Sequence, residues 1–172
     1  TDNTLATTPV NATTYTVGTN VVFGAGGYVE SVGNGTTISS TGLTAGTTYY
    51  YWVFSFNNSS CTGGPNYLIA SPASASTTTG SSITSIATRN WEDGGTWSSG
   101  VAPTAIDNVT IAATHEVTVN AVAASANSLA INNTGILTVT GSTLTIPTTI
   151  SNAGTLNASS TTINVTGAAT TG

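Results

Sequence analysis

DNVTIAATHEVTVNAVAASA (107–126), NSLAINNTGILTVTGSTLTI (127–146) and PTTISNAGTLNASSTTINVT (147–166) follow one another in blocks of 20 residues, and laid one beneath the next they bring apolar positions under apolar positions. Val109/Ile111 and Val117/Val119 return as Leu129/Ile131 and Leu137/Val139, each displaced by 20. The displacement then becomes 19: Ile131, Leu137, Leu144 and Ile146 are answered by Ile150, Leu156, Ile163 and Val165, and Asn133-x-Gly135 by Asn152-x-Gly154. Within each repeat the apolar residues alternate with Thr, Ser and Asn, the period of a strand with one face inward. Short two-faced strands joined at Gly/Asn corners predict a parallel β-helix, or β-solenoid, with coils of about 19–20 residues and three faces. About three coils fit between Asp107 and Gly167, the number such an array needs to bury a continuous core.

Upstream of the repeat, Trp91-Glu-Asp-Gly-Gly-Thr-Trp97 and Gly100-Val-Ala-Pro103 supply two tryptophans and several turn residues. Residues 80–106 are therefore expected to form a linker and a Trp-containing cap, with Trp91 and Trp97 shielding the first coil. Residues 107–172 are expected to be the solenoid. Nothing after Val165 is bulky enough to shield the last coil, so a continuation or a partner is expected there.

Residues 1–79 have a different period. Alternating segments at Thr14–Val17, Val21–Phe23, Tyr28–Val32 and Thr37–Ser40, separated by Gly and Asn, predict strands, and no helical period is present. The strongest strand spans Tyr49 to Phe56, with Tyr49, Tyr51 and Val53 on one face and Tyr50, Trp52, Phe54 and Phe56 on the other. Thr77 to Ser82 reads as a linker, which places the boundary near residue 80.

The turn Leu43-Thr-Ala-Gly-Thr-Thr-Tyr49 resembles the Leu-x-Pro-Gly-Thr-x-Tyr turn of fibronectin-III domains, with Ala45 in place of the proline. The resemblance implies a β-sandwich over residues 1–79, with Tyr49 as the tyrosine whose hydroxyl bonds back to nearby backbone. Pro9-Val-Asn-Ala-Thr-Thr-Tyr15, Tyr28-Val-Glu-Ser-Val-Gly-Asn-Gly35 and Gly64-Pro-Asn-Tyr67 are similar to a variant found in secreted surface proteins of the Bacteroidetes. The first strands of such a sandwich have no counterpart after Thr1, so they are expected either upstream or from a neighbouring chain by β-augmentation. In the second half, Gly95-Thr-Trp97-Ser-Ser-Gly100-Val-x-Pro103 followed by Asp107-Asn-Val-Thr-Ile111 resembles the opening segment of solenoid modules in large Bacteroidetes adhesins. That resemblance implies export by the type IX secretion route and an extracellular location, at the cell surface or in a fibre.

Charge narrows the function classes. Only 4% of the 172 residues are charged, with Arg89 the single basic side chain against Asp2, Glu30, Glu92, Asp93, Asp107 and Glu116. A surface with one cation cannot neutralise phosphates or hold an anionic leaflet, which argues against nucleic acid and against membrane attachment. The longest apolar run, Tyr49–Phe54, is six residues, far short of the roughly 20 a spanning helix needs. Cys61 is the only cysteine, so it is read as a free thiol or as the partner of a cysteine elsewhere. Asn-x-Ser/Thr occurs at Asn11, Asn34, Asn57, Asn58, Asn108, Asn132, Asn157 and Asn164, a frequency that the abundance of Thr and Ser accounts for.

Chemistry-bearing residues are few. His115 is the sole histidine; a Ser-His-Asp site would have to use it, with Glu116 or Asp107 orienting the ring, yet nothing singles out a serine. Glu92, Asp93 and Asp107 are candidate oxygen ligands for calcium, weighed against an acidic turn that opens the cap. No charged residue occurs from Ala121 to Gly172, which disfavours a solenoid glycosidase or lyase there. Tyr50, Trp52, Phe54 and Tyr67 are candidates for an interface or for stacking on carbohydrate. Ice binding needs a flat Thr array on successive coils, and Thr138 and Thr140 map at the 19-residue displacement onto Asn157 and Ser159, which breaks the array. The expectation is a non-enzymatic extracellular structural or adhesive segment without a cofactor. Its partners would be copies of itself or neighbouring domains, with surface glycans as a further class. The alternative is a carbohydrate-binding module of a secreted multidomain enzyme or lectin.

Overall fold

The computed structural model describes residues 5, 7–18, 27–57 and 60–171. It divides into two compact units, Thr1–Thr79 and Gly80–Gly172. The segment Val21–Phe23 and the sequon asparagine Asn58 lie outside the described residues.

In the second unit the alternation seen in the sequence becomes strands whose Val, Leu and Ile point inward and whose Thr, Ser and Asn point outward. Twelve strands form: β3 (Ser82–Thr84), β4 (Arg89–Asn90), β5 (Asn108–Ile111), β6 (Glu116–Val119), β7 (Ala124–Ser125), β8 (Ser128–Ile131), β9 (Ile136–Thr140), β10 (Thr143–Ile146), β11 (Thr149–Asn152), β12 (Thr155–Ser159), β13 (Thr162–Val165) and β14 (Ala168–Thr171). They stack in parallel into three faces, β3-β5-β8-β11-β14, β4-β6-β9-β12 and β7-β10-β13. This is a β-solenoid, in which each coil from β5 to β13 lays one strand on each face.

The inward columns form a single core. Ile83, Val109, Leu129 and Ile150 lie in register on the first face, Val117, Leu137 and Leu156 on the second, and Ala124, Leu144 and Ile163 on the third. Val117, Val119, Leu137, Val139, Leu144 and Ile146 are each 0% exposed, and burying a side chain of this size stabilises by about 2 kcal/mol. Corner hydroxyls tie each coil to the one before. Thr148 donates to the carbonyl of Asn127, Thr161 to that of Ser142, and Thr166 to that of Pro147 at 2.9 Å. Gly154 stacks on the corner below it, where an added Cβ would lie 2.3 Å from the Gly135 carbonyl oxygen.

The strand register corrects two expectations. Ile150 pairs with Leu129, not with Ile131, and Ile131 faces Asn152. The corner after β10 gains one residue and the corner after β11 loses two, so the displacement runs 20, then 21, then 19. Two partly cancelling changes in corner length imitate a single uniform shift. The second correction is that the solenoid begins before Asp107. β3 pairs with β5 and β4 with β6 at displacements of 26 and 28, so the expected linker-and-cap segment contributes two strands of a first coil.

The rest of that first coil is the tryptophan cap. In place of a third-face strand, the chain makes a 3-10 turn at Gly94–Thr96, capped by the Asp93 side chain. Trp91 and Trp97 pack edge to face with centroids 4.8 Å apart, and the Trp97 indole N–H donates to the Trp91 carbonyl at 2.7 Å. Both rings are buried.

The first unit is built differently. Its strands among the described residues are β1 (Thr48–Val53) and β2 (Ala73–Thr78), an antiparallel pair running from Thr48↔Thr78 to Val53↔Ala73. Thr77 and Thr78, expected in a linker, are therefore strand. Phe56 and Tyr67 form one further bridge, so Phe56 falls outside β1. Thr14–Val17, Tyr28–Val32 and Thr37–Ser40 form no strands. Ties near these segments include Ala12 N–H to Pro65 C=O at 2.7 Å and Gly18 N–H to Val29 C=O at 2.9 Å. Only Pro9 and Pro65 are buried among this unit's described residues.

Two turns in this unit share one design. The Thr44 N–H donates to the Tyr49 hydroxyl at 2.8 Å, and the Val10 N–H donates to the Tyr15 hydroxyl at 3.0 Å. In each, the N–H lies five residues before the tyrosine, and the residue three before it has a left-handed backbone, Gly46 at φ 64° and Ala12 at φ 61°. The hydrogen bond that the resemblance assigned to Tyr49 is present, and Tyr15 repeats it.

Candidate functional site

The residues with binding chemistry lie on β1 and its flanks. The alternation of β1 sends Tyr49 and Tyr51 to one side and Tyr50 and Trp52 to the other. The first side is engaged: besides the Tyr49 bond, the Tyr51 hydroxyl donates to the Ser40 hydroxyl at 3.2 Å. The second side holds an open depression of about 240 Å³ lined by Tyr50, Trp52, Ser74, Ala75 and Ser76. The Tyr50 and Trp52 rings are 6.3 Å apart between centroids and tilted by 32°, which gives the depression an aromatic side. Strand register places Ser76 opposite Tyr50 and Ser74 opposite Trp52, and residues directly opposite in an antiparallel pair share a face. Each ring thus has a hydroxyl beside it.

The other two aromatic candidates are elsewhere. Phe54 is half-buried just past the end of β1 and does not line the depression. Tyr67 packs with Tyr15 at 5.6 Å and with Phe56 at 5.4 Å, and its hydroxyl donates to the Thr13 carbonyl at 2.9 Å. Burial first, and Tyr15 second, push the Tyr67 hydroxyl above the ordinary phenol range. Tyr67 is thus a tie between two chain segments. Ser74 and Ser76 escaped the sequence reading because nothing marks them except their register against β1.

The acidic candidates serve the fold. Asp107 is buried, and its carboxylate accepts from Ser81 N–H at 2.8 Å, Thr104 N–H at 2.9 Å and the Thr104 hydroxyl at 2.7 Å. Burial alone would raise its pKa, but the bonds from Thr104 and Ser81 outweigh that and hold it below the usual carboxylate value. Asp93 accepts from Gly95 N–H at 2.8 Å and from Arg89 at 3.0 Å, which lower its pKa in that order. Glu92 is exposed. Among the described residues no group of three or more His, Cys, Asp or Glu could hold a metal ion, so Glu92, Asp93 and Asp107 are not gathered into a calcium site.

His115 has one clear neighbour. Its Nδ1 lies 3.0 Å from both the carbonyl oxygen and the hydroxyl of Ser85. A carbonyl only accepts, so the contact to it is satisfied by the tautomer with the proton on Nδ1, which would also donate to the serine hydroxyl. Ser85 is 2% exposed, and its hydroxyl also accepts the Ala112 N–H at 2.8 Å. The pair fastens a corner of the first coil. Cys61 is exposed. Of the sequon asparagines, Asn11 and Asn57 accept backbone N–H bonds from Tyr67 and Asn66, and Asn108 accepts from Asn127 and Ser128 one coil on.

No helix among the described residues is long and apolar enough to cross a membrane. No protein-family model, curated protein or solved structure matches the chain.

Proposed function

We propose that this chain is a non-enzymatic structural and adhesive segment of an extracellular protein, displayed at a cell surface or in a fibre, which works by reach, rigidity and contact. The observation that carries the reading is the commitment of the acidic and histidine candidates Asp93, Asp107 and His115 to the fold. Asp93, Asp107 and His115 each spend their polar atoms on corners and caps of the solenoid, while the outward columns Asn90-Thr118-Thr138-Asn157 and Thr84-Thr110-Ala130-Ser151-Thr170 are uncharged. Such a body presents surface without chemistry. Its partners on this reading are copies of itself or neighbouring domains of a longer chain, and its export follows the type IX route implied by the resemblance to Bacteroidetes adhesins. The first unit acts as a fibronectin-III-like domain, a reading supported by the β1–β2 pair and the two tyrosine turns.

Immunogold labelling of intact, unpermeabilised source cells with antibody against residues 1–172 tests the proposal. Dense surface or fibre labelling is expected. Label seen only after permeabilisation, or turnover of glycan or peptide substrates by the purified chain, would overturn it.

A further inference from the structure

We infer that the Tyr50/Trp52 pair on β1 is a binding site for an extended, neutral glycan chain. The inference supplies the contact half of the role proposed above and rests on that reading. Three observations meet at this place. Two rings on the same side of one strand lie 6.3 Å apart with a tilt of 32°, so they follow one another along the strand direction as neighbouring apolar surfaces. The hydroxyls of Ser76 and Ser74 flank these rings through the β1–β2 register, and the same four side chains line one open depression. No lining residue carries charge.

Each feature selects against other ligands. Anions and cations find no counter-charge in the depression, and a folded apolar partner would leave the two serine hydroxyls buried without bonds, at a cost. A pyranose has an apolar face of C–H groups and a rim of hydroxyls. It covers an aromatic ring with the one while bonding serine with the other. Linear spacing along a strand favours a ribbon-like chain with equatorial linkages, such as a β-1,4-glucan or β-1,4-linked N-acetylglucosamine chain, over glycans that coil. The tyrosine side of β1 is excluded as the site because Tyr49 and Tyr51 are already bonded to Thr44 and Ser40.

The tryptophans make the test direct. Trp91 and Trp97 are buried at 3% and 0% exposure, so acrylamide quenching of fluorescence in the free chain reports mainly Trp52. Cellohexaose and chitohexaose are expected to protect this emission, and maltohexaose to protect it less. Trp52→Ala removes the reporting ring, so binding by that variant is followed by affinity electrophoresis, where a loss of affinity of about tenfold is expected for it and for Tyr50→Ala. Ser74→Ala with Ser76→Ala should weaken binding about threefold.

Absence of protection by either β-1,4 hexasaccharide overturns the inference. So does Trp52 emission already shielded in the free chain: concentration-dependent shielding makes a second copy the occupant, and concentration-independent shielding makes the face part of a covered core. Sugar binding is read on purified chain and surface display on intact cells, so either reading can fail alone.

Discussion

The two units are made of nearly the same residues and solve the folding problem in opposite ways. Both are rich in Thr, Ser, Asn and Gly and almost free of charge. The core of the solenoid takes aliphatic side chains, none larger than Leu or Ile outside the tryptophan cap, and stacks them in columns. The first unit owns most of the aromatic rings, yet none of its described rings is buried; they meet in pairs and lean on single hydrogen bonds. Regular register, not the size of the apolar groups, decides which sequence obtains a dry core, because a column buries both faces of each inward residue whereas an isolated ring pair leaves its rims wet.

That contrast is broken most sharply by removing one column member. Leu137→Ala should destabilise the second unit by about 4 kcal/mol, because Leu137 is fully buried between Val117 and Leu156. Val53→Ala, at a side chain 53% exposed on β1, should cost less than about 0.5 kcal/mol. Denaturant unfolding, with Trp91/Trp97 emission reporting one unit and Trp52 the other, measures both; equal effects would remove the distinction.

Next in size is Asp107→Ala, expected to cost the second unit about 3 kcal/mol by orphaning the Ser81 and Thr104 donors. Asp107 and Tyr67 give the two units opposite responses to pH. Asp107 has a depressed folded pKa, so its contribution is present above the ordinary carboxylate value near 3.9 and is lost as pH falls through the depressed one. Tyr67 has a raised folded pKa; its contribution is intact below the ordinary phenol value near 10 and is lost as pH rises through the raised one. Thermal melts should show the second unit weakening in acid and the first in alkali, and Asp107→Asn should flatten the acid limb.

About 1 kcal/mol is expected from Tyr49→Phe and from Tyr15→Phe, each leaving one backbone N–H without its hydroxyl acceptor. Calorimetry should move only the first unit's transition, by similar amounts for the two variants if the turns are equivalent. The smallest effect sharpens the comparison by cancelling it. Ala12 and Thr114 both hold left-handed backbone without being glycine, at φ 61° and 67°. Ala12→Gly and Thr114→Gly should each stabilise their own unit by about 0.5 kcal/mol, the relieved strain exceeding the added chain entropy.

Legibility followed the same divide. The coils from β5 to β10 could be read because inward residues recur at constant spacing, and the register slips only where corners 147–148 and 153–154 change length in opposite senses. The first coil was hidden because the insertion around Trp91 and Trp97 stretches the displacement to 26 and 28. β2, Ala-Ser-Ala-Ser-Thr-Thr, escaped because its alternation sets only Ala against Ser, with no large apolar side chain, and with it escaped the serines beside Tyr50 and Trp52. Strands expected at Thr14–Val17, Tyr28–Val32 and Thr37–Ser40 had suitable residues, yet pairing is a property of two segments that no single one displays. Tyr49 was recognisable from its turn, whereas its twin Tyr15 needed the hydrogen bond to be seen.

The uniform parallel stacking of the coils has a mechanical side. Each coil adds only about 4.8 Å of height, the spacing of neighbouring strands, yet it stores some 20 residues of chain, from Val109 to Leu129 for example. Drawn out straight, those residues span about 65 Å. A pull on the chain end therefore peels one coil at a time, each release lengthening the molecule more than tenfold relative to the height it gives up. Because a coil leans only on its neighbours, it can wind back when tension falls. Between two anchored surfaces, such a body would behave as a spooled tether that yields in steps under sudden load.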